Sequence, residues 1–182
     1  FQFTPHDVWD WDANENPVLL DAVFRGKPRK LLVQANRNGF YYILDRRDGR
    51  PLYDVREMPV PTEPAWQNPW PTQPVPTTDP LIPQNIESAP PGARTGPIYT
   101  VRQEQPTLIQ PGFESGPEWP PSAYSPRTRF SYLQAGGYQP STYRAIPPIV
   151  NSFGSTGGGA PEGVESYGLF VAMDTTTGRI AW

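Results

Sequence analysis

The sequence predicts an all-β protein in which short strands are joined by many turns. Short apolar runs rich in β-formers alternate with turn signals, as at Phe40 to Leu44 directly after Asn38-Gly39. The 26 Pro and 16 Gly residues among 182 indicate a chain rich in loops. Aromatic residues make up 13% of the chain, which indicates a packed core and argues against disorder.

Residues 1–54 carry the clearest strand and turn pattern. One apolar run covers Lys30 to Ala35, and a second covers Phe40 to Leu44. Asn36-Arg37-Asn38-Gly39 lies between them, and its Asn-Gly pair is a strong hairpin signal. A further turn is predicted at Asp45 to Gly49.

Residues 55–111 are dominated by proline, as in the run PVPTEPAWQNPWPTQPVPTTDP. A central strand does not tolerate this density, because each proline removes a hydrogen bond of the ladder. We expect an extended insertion that lies over other structure. A plain linker is the alternative, but two tryptophans in the run and the pair Ile98-Tyr99 favour packing.

Residues 112–182 return to the β pattern. Ser122 to Tyr124 and Phe130 to Leu133 flank a predicted turn, and a last strand pair is predicted at Leu169 to Asp174 and Arg179 to Trp182. Between these pairs, residues 136–166 are rich in Gly, Pro and Ser and are predicted to form a loop. We expect all three segments to belong to one domain.

One spacing occurs twice. Asp45, Gly49 and Tyr53 are spaced like Asp174, Gly178 and Trp182, and each set follows an apolar strand. A strand, an Asp-initiated turn with Gly and a return strand ending in an aromatic residue is typical of β-propeller blades. Two copies do not establish a repeat, and a common type of hairpin explains the spacing equally well.

Charge and composition exclude several classes of function. The net charge is −3 with dispersed charges, which argues against a nucleic-acid partner. The chain has no cysteine and no apolar run of about 20 residues, the length of a membrane span. It begins at Phe1 without a signal-peptide pattern and ends at Trp182 within an expected strand, so we expect a piece of a longer protein.

The segment Thr4 to Asp12 is the densest in chemically useful side chains. If Val8 to Asp12 is extended, Trp9 and Trp11 share one face, and Asp10 and Asp12 share the other about 7 Å apart. Two such carboxylates suit a hard cation such as Ca²⁺, or one can hold a cation while the other acts as a base. Solvated turn acids beside packed tryptophans are the alternative.

Three further residues are singled out by position. Arg37 lies at the tip of the predicted hairpin, where an exposed turn arginine is the alternative to a functional one. Glu118 lies in a bend bounded by Pro and Gly that can present a side chain into a cavity, although this signal is weak. His6 is the single histidine and is expected to be structural.

Several of these segments together resemble the quinoprotein alcohol and sugar dehydrogenases, which use pyrroloquinoline quinone (PQQ). The resemblance is carried by Phe3 to Asp12, Asn36 to Phe40, Leu44 to Gly49, Gly116 to Pro126 and Ala172 to Trp182. The last of these is similar to the tryptophan-docking motif of that family. The resemblance implies a partial eight-bladed β-propeller, with four-stranded antiparallel blades and long loop insertions.

The resemblance also implies roles for single residues. Asp10 corresponds to the general base, which takes the hydroxyl proton of the substrate while hydride moves to the quinone. Arg37 and Glu118 correspond to cofactor contacts, and Asp10 and Asp12 to metal ligands. The implied metal is Ca²⁺, with a lanthanide or Mg²⁺ as the alternatives; lanthanide-using members carry an acid at the position of Asp12.

The implied partners follow from the family as well. The substrate would be an alcohol or an aldose, the electron acceptor cytochrome c or ubiquinone, and the location the periplasm. Glu118-Trp119, Met58 to Pro61 and Pro71 to Pro74 are closest to the membrane-bound glucose dehydrogenase branch. The remaining blades, metal ligands and the tryptophan that stacks on PQQ are expected upstream, so we expect the isolated chain to be inactive.

Two other classes of function stay open at this point. A non-catalytic propeller that serves as a scaffold or binding module would keep the docking motif and lose the chemistry. A carbohydrate-binding β module rests only on the aromatic content. The charged set of Asp10, Arg37 and Glu118 favours the enzyme, because a scaffold has no reason to keep it.

Overall fold

The computed structural model describes residues 1–86, 89–112, 115–135, 141–145, 155–158 and 167–182. The strands are β1 (Val18–Phe24), β2 (Lys27–Ala35), β3 (Tyr41–Asp45), β4 (Val55–Pro59), β5 (Thr72–Pro76), β6 (Thr95–Gly96), β7 (Thr107–Ile109), β8 (Ala123–Ser125), β9 (Phe130–Ala135), β10 (Ser141–Ala145), β11 (Ser155–Gly158), β12 (Leu169–Asp174) and β13 (Arg179–Ile180). Within these ranges the single helical element is a 3₁₀ turn at Ala65–Gln67. The predicted all-β class is confirmed.

The strands form four small sheets with the orders β1-β2-β3, β13-β12-β9-β8, β11-β10-β7-β6 and β4-β5. The predicted hairpins at 36–39, 125–129 and 174–178 are present, because β2 pairs with β3, β8 with β9 and β12 with β13. One pair departs from the predicted antiparallel blades. Strand β6 runs parallel to β7, because residues 97–106 carry the chain back to the starting end of β6.

The turns at 45–49 and 174–178 have the same geometry. In each, the glycine N–H donates to the carbonyl of the aspartate four residues earlier, at 2.8 Å. The aspartate Oδ1 accepts the N–H of the second residue after it. Gly49 and Gly178 have φ of 74° and 66°, a left-handed conformation that favours glycine. The repeated sequence spacing therefore corresponds to a repeated structural unit.

Strand β3 is buried on both faces and separates two apolar cores. Tyr41 and Ile43 point into the first core, between the β1-β2-β3 sheet and the β13-β12-β9-β8 sheet. Phe40 and Tyr42 point into the second, which contains Trp9, Trp11, Val60, Ile98, Tyr99, Val101, Ile109 and Tyr143. Alternation along one strand thus assigns neighbouring residues to different cores.

The proline-rich residues 55–111 supply much of the second core, and they also contain four short strands where we expected extended chain. Strands β4 and β5 form a two-stranded sheet, in which proline removes no ladder bond if its nitrogen points outward. Thr77 N–H donates to Asp54 and Val60 N–H donates to Pro71, so the register places Pro74 and Pro76 in the pairs that exchange no hydrogen bonds. Ile98 and Tyr99 are buried as predicted, but both tryptophans of the run stay exposed.

The predicted loop at 136–166 is wrong in part. Strands β10 and β11 pair antiparallel inside it, and Tyr143 on β10 is fully buried. Composition did not predict this pairing, because β10 (STYRA) and β11 (STGG) consist largely of Ser, Thr and Gly, which are typical of loops. Residues 136–140, 146–154 and 159–166 lie outside the described residues. In the described parts of the chain, no helix is long and apolar enough to span a membrane.

A candidate active site around Asp10

The structure brings together the three residues that the sequence analysis placed at one site. Arg37 Nη1 lies 3.7 Å from Asp10 Oδ2, and Arg37 Nε lies 2.7 Å from Glu118 Oε1. The three residues come from the segment before β1, the β2–β3 turn and the bend before β8. Their chemical roles stay predictions.

The β2–β3 turn holds Arg37 inside the protein. Gly39 N–H donates to Asn36 O at 2.8 Å, and Asn36 Oδ1 accepts the Arg37 N–H at 2.9 Å. Leu81 N–H donates to Gly39 O at 2.7 Å and so ties residue 81 to the turn. Arg37 is only 6% exposed, so it is not the exposed turn arginine that was the alternative.

Gly116 packs directly against the backbone of Arg37. Its φ is 94°, and a Cβ at this position would lie 2.5 Å from Arg37 O. No side chain fits this contact without moving the Arg37 turn. Glycine at position 116 is therefore required both by its conformation and by the close approach.

We predict that Gly116→Ala in the full-length protein lowers the free energy of unfolding by about 1–3 kcal/mol and lowers the rate of substrate oxidation. Gly92→Ala is the matched control, because Gly92 also has a positive φ of 81° but no atom within 4 Å of its would-be Cβ. Thermal unfolding and steady-state kinetics of both variants test this. Equal effects of the two substitutions would show that backbone strain alone is responsible.

Residues 8–12 do not form the extended strand that the sequence analysis assumed. Asp10 adopts φ of 71°, in the left-handed region. The cause is Asp7, whose Oδ1 accepts the N–H groups of Trp9 at 2.8 Å and Asp10 at 3.1 Å. Its Oδ2 accepts the Trp11 N–H at 2.7 Å. Side-chain bonds to nearby backbone compete with strand pairing, and the expected extended segment did not include this capacity of Asp7.

Trp9 and Trp11 nevertheless lie on one side, as predicted. Their rings stack with centroids 5.2 Å apart and 13° between planes, and each meets the edge of Tyr99. Trp9 Nε1 donates to Thr100 O at 2.8 Å. These buried contacts of Trp9 and Trp11 hold residues 8–12 in place, whereas Asp10 and Asp12 are exposed.

Asp10 and Asp12 are the two carboxylates that the sequence analysis predicted as metal ligands, and that role stays a prediction. Asp12 makes no hydrogen bond or ion pair with any described residue, and the described residues contain no group of three His, Cys, Asp or Glu that could hold a metal ion. Carboxylate oxygens are the ligands of hard cations, which take six to eight. The donor chemistry therefore fits a cation whose other ligands come from beyond these residues.

Both carboxylate oxygens of Glu118 contact other side chains of this chain. Oε1 pairs with Arg37, and Oε2 accepts a hydrogen bond from Asn14 Nδ2 at 2.7 Å. The Glu118 side chain is 28% exposed, and the neighbouring Trp119 is largely exposed. Glu118 thus anchors the guanidinium of Arg37 and can still reach a bound group.

Arg102 is a second buried guanidinium that no sequence signal indicated. It lies 5.0 Å from the Tyr143 ring centroid in a cation–π contact. Burial lowers the pKa of Arg102, while the charges of Asp10 and Asp7 act in the opposite direction. Burial likewise raises the pKa of Tyr143. The backbone of Arg102 is fixed by Gln67, whose Oε1 accepts its N–H at 3.0 Å.

His6 stays apart from these contacts. The residue is exposed, and its Nδ1 lies 3.3 Å from Asn68 O. Its ring meets the edge of Trp70 at a centroid distance of 5.2 Å. The structural role that was expected of His6 stays a prediction.

The chain is similar to known proteins over its whole length. A family model described as "PQQ: Glucose/ethanol/alcohol dehydrogenase, beta-propeller domain" matches residues 1–147. The quinohemoprotein alcohol dehydrogenase ADH-IIG of Pseudomonas putida is 31% identical across all of this chain, which covers 25% of that protein. A lanthanide-dependent methanol dehydrogenase of Methylorubrum extorquens is 30% identical across all of this chain, which covers 30% of it.

A solved structure shows the same relation. The europium-containing methanol dehydrogenase superposes with a TM-score of 0.61 at 27% identity, over 100% of this chain and 29% of that one. The chain thus spans between a quarter and a third of the length of these relatives.

Proposed function

Because the chain belongs to the PQQ-dependent alcohol dehydrogenase family of β-propellers, we propose that it carries the catalytic segment of a longer dehydrogenase. That enzyme oxidises an alcohol by hydride transfer to PQQ. The observation that carries the proposal is the ion-pair chain from Asp10 through Arg37 to Glu118, which joins the residues implied by the resemblance.

Asp10 is the proposed general base. Its carboxylate is 45% exposed and so can reach a bound alcohol, while Arg37 contacts one of its oxygens. Asp10 would accept the proton of the substrate hydroxyl. PQQ, when bound, would supply the hydride acceptor, and a bound metal ion would supply a Lewis acid for this reaction.

Arg37 and Glu118 are the proposed cofactor contacts. The guanidinium donates hydrogen bonds in a fixed fork and carries a permanent charge, which suits the quinone oxygens. Glu118 pairs with the Nε of this guanidinium, and Asn14 donates a hydrogen bond to the other oxygen of Glu118. A guanidinium held in this way needs little reorganisation when charge develops beside it.

An alcohol is the proposed substrate, and a cytochrome the proposed electron acceptor. The relatives described above are named for alcohols or methanol, and ADH-IIG is named a quinohemoprotein. The glucose dehydrogenase branch indicated by Glu118-Trp119 finds no support in these names. The periplasmic location likewise stays a proposal.

Asp12 is the proposed determinant of the metal. A trivalent lanthanide needs more anionic oxygen than Ca²⁺, and a relative of this chain is named lanthanide-dependent. We predict that Asp12→Ala lowers La³⁺-supported activity about 10- to 100-fold more than Ca²⁺-supported activity. Titration of the metal-free full-length enzyme with each ion measures this. Equal losses with both ions would show that Asp12 does not determine the metal, and no loss with either ion would remove Asp12 from the metal site.

The proposed function is tested with the full-length protein that contains this chain. The PQQ-loaded protein is assayed on a series of alcohols and aldoses with Ca²⁺, Mg²⁺ or La³⁺. PQQ-dependent and metal-dependent alcohol oxidation is the expected result. A folded, PQQ-binding protein without activity under all these conditions would instead support the non-catalytic propeller.

A further inference from the structure

Asp7 takes no part in the chemistry proposed above, yet it controls the backbone that carries Asp10. Its two carboxylate oxygens accept three N–H groups from Trp9, Asp10 and Trp11, at 2.7–3.1 Å. Asp7 is exposed as a residue, but burial around its carboxylate raises the pKa of Asp7, while the hydrogen bonds from Trp9, Trp11 and Asp10 act in the opposite direction.

Asp10 needs this support because its backbone conformation is unfavourable. A φ of 71° in a residue other than glycine persists only where the surroundings determine it. Trp9 and Trp11 are anchored in the aromatic core on either side of Asp10. Asp7 ties the peptide groups between these anchors to one another, and so sets the direction in which the Asp10 side chain leaves the backbone.

We propose that Asp7 is a positioning residue for Asp10, which holds the carboxylate in its reactive orientation through the three backbone hydrogen bonds. This inference rests on the proposed role of Asp10 as the base. It predicts that Asp7 affects the chemical step through Asp10 alone. A purely structural role would instead change the amount of folded enzyme.

Asparagine at position 7 would keep two of the three hydrogen bonds and lose the third. Its carbonyl oxygen can keep the bonds to Trp9 and Asp10, both of which go to Oδ1. Its NH₂ group would then face the Trp11 N–H, a contact of two donors. Asp7→Asn therefore disturbs the turn with little change in size. Asp174→Asn is the matched control, because Asp174 Oδ1 accepts the Thr176 N–H at 2.7 Å in a turn of the last hairpin.

The experiment uses the full-length PQQ-loaded enzyme and the variants Asp7→Asn, Asp10→Asn, Asp7→Asn/Asp10→Asn and Asp174→Asn. Rates are normalised to bound PQQ, and the kinetic isotope effect is measured with an alcohol deuterated at the carbinol carbon. We expect Asp7→Asn to lower kcat about 10- to 100-fold with KM little changed and an increased isotope effect. Asp174→Asn should change neither kcat nor the isotope effect.

The double variant decides whether Asp7 acts through Asp10. If it does, Asp7→Asn lowers the residual rate of the Asp10→Asn enzyme no further. An equal fold-loss in both backgrounds overturns the inference, as does a normal kcat and isotope effect in Asp7→Asn. If Asp7→Asn yields no folded protein, Asp7→Glu keeps the charge and is judged by the same isotope effect. Full activity of Asp10→Asn would instead defeat the proposed function and, with it, this inference.

Discussion

Asp10→Asn in the full-length enzyme is expected to lower kcat about 10²- to 10⁴-fold, the usual loss when a general base is removed. The amide has nearly the size of the carboxylate but does not accept the hydroxyl proton. Asparagine also tolerates the left-handed conformation that residue 10 adopts, so the turn between Trp9 and Trp11 should persist. Steady-state kinetics at saturating alcohol and PQQ measure the loss.

Asp48→Asn provides the control for this substitution. Asp48 lies in the exposed β3 turn, where its Oδ1 accepts the Arg50 N–H at 3.1 Å, and it has no place in the proposed site. Its variant should keep the wild-type kcat. The base assignment is abandoned if Asp10→Asn, with a full complement of PQQ and metal, oxidises alcohol at the wild-type rate.

Arg37→Met is expected to cause the second large effect, a fall in kcat of about 100-fold together with a loss of about 1–3 kcal/mol in stability. Methionine fills most of the volume of the buried side chain but leaves Glu118 without its cation. Arg37→Lys should recover only part of the rate. A lysine keeps the charge but does not hold two carboxylates in a planar fork.

The two effects of Arg37→Met can be separated. Adding Glu118→Gln removes the uncompensated carboxylate, so the double variant should regain stability without regaining rate. Arg94→Met is the matched control, because Arg94 is exposed and contacts Gln105 at 2.6 Å. Unfolding midpoints and kcat are measured for the wild type, Arg37→Met, Arg37→Met/Glu118→Gln and Arg94→Met. Arg37 loses its proposed role if its methionine variant keeps normal kcat.

The hairpins were predictable because their signals are local. Asn38-Gly39 specifies the β2–β3 turn, and the spacing of Asp45 and Gly49 recurs in a turn of identical geometry. Burial was less predictable, since composition alone does not identify β10 and β11. Both strands lack a long apolar run, and β10 is stabilised by pairing with β7 and by the burial of Tyr143, while β11 pairs with β10.

The candidate site was only partly predictable. Asp10, Arg37 and Glu118 each carried a weak local signal, but only the family resemblance placed them at one site, because no local rule brings residues so distant in sequence into contact. Asp7 carried a local signal, because an aspartate often accepts hydrogen bonds from the backbone N–H groups of the residues that follow it, as Asp7 does from Trp9 and Trp11. Arg102 carried none, since its contact with Tyr143 depends on how β10 packs against the proline-rich segment.

The prolines of β5 allow a strand edge to face the protein interior. The outer edge of an ordinary strand presents N–H groups that must find acceptors when they are removed from water. Pro74 and Pro76 have no such group, both are buried, and the Pro74 carbonyl accepts a hydrogen bond from Tyr42 OH at 3.4 Å. The proline-rich strand β5 thus ends a sheet against an aromatic core, and its two prolines leave no buried N–H group without an acceptor there. Its composition nevertheless resembles that of a disordered linker.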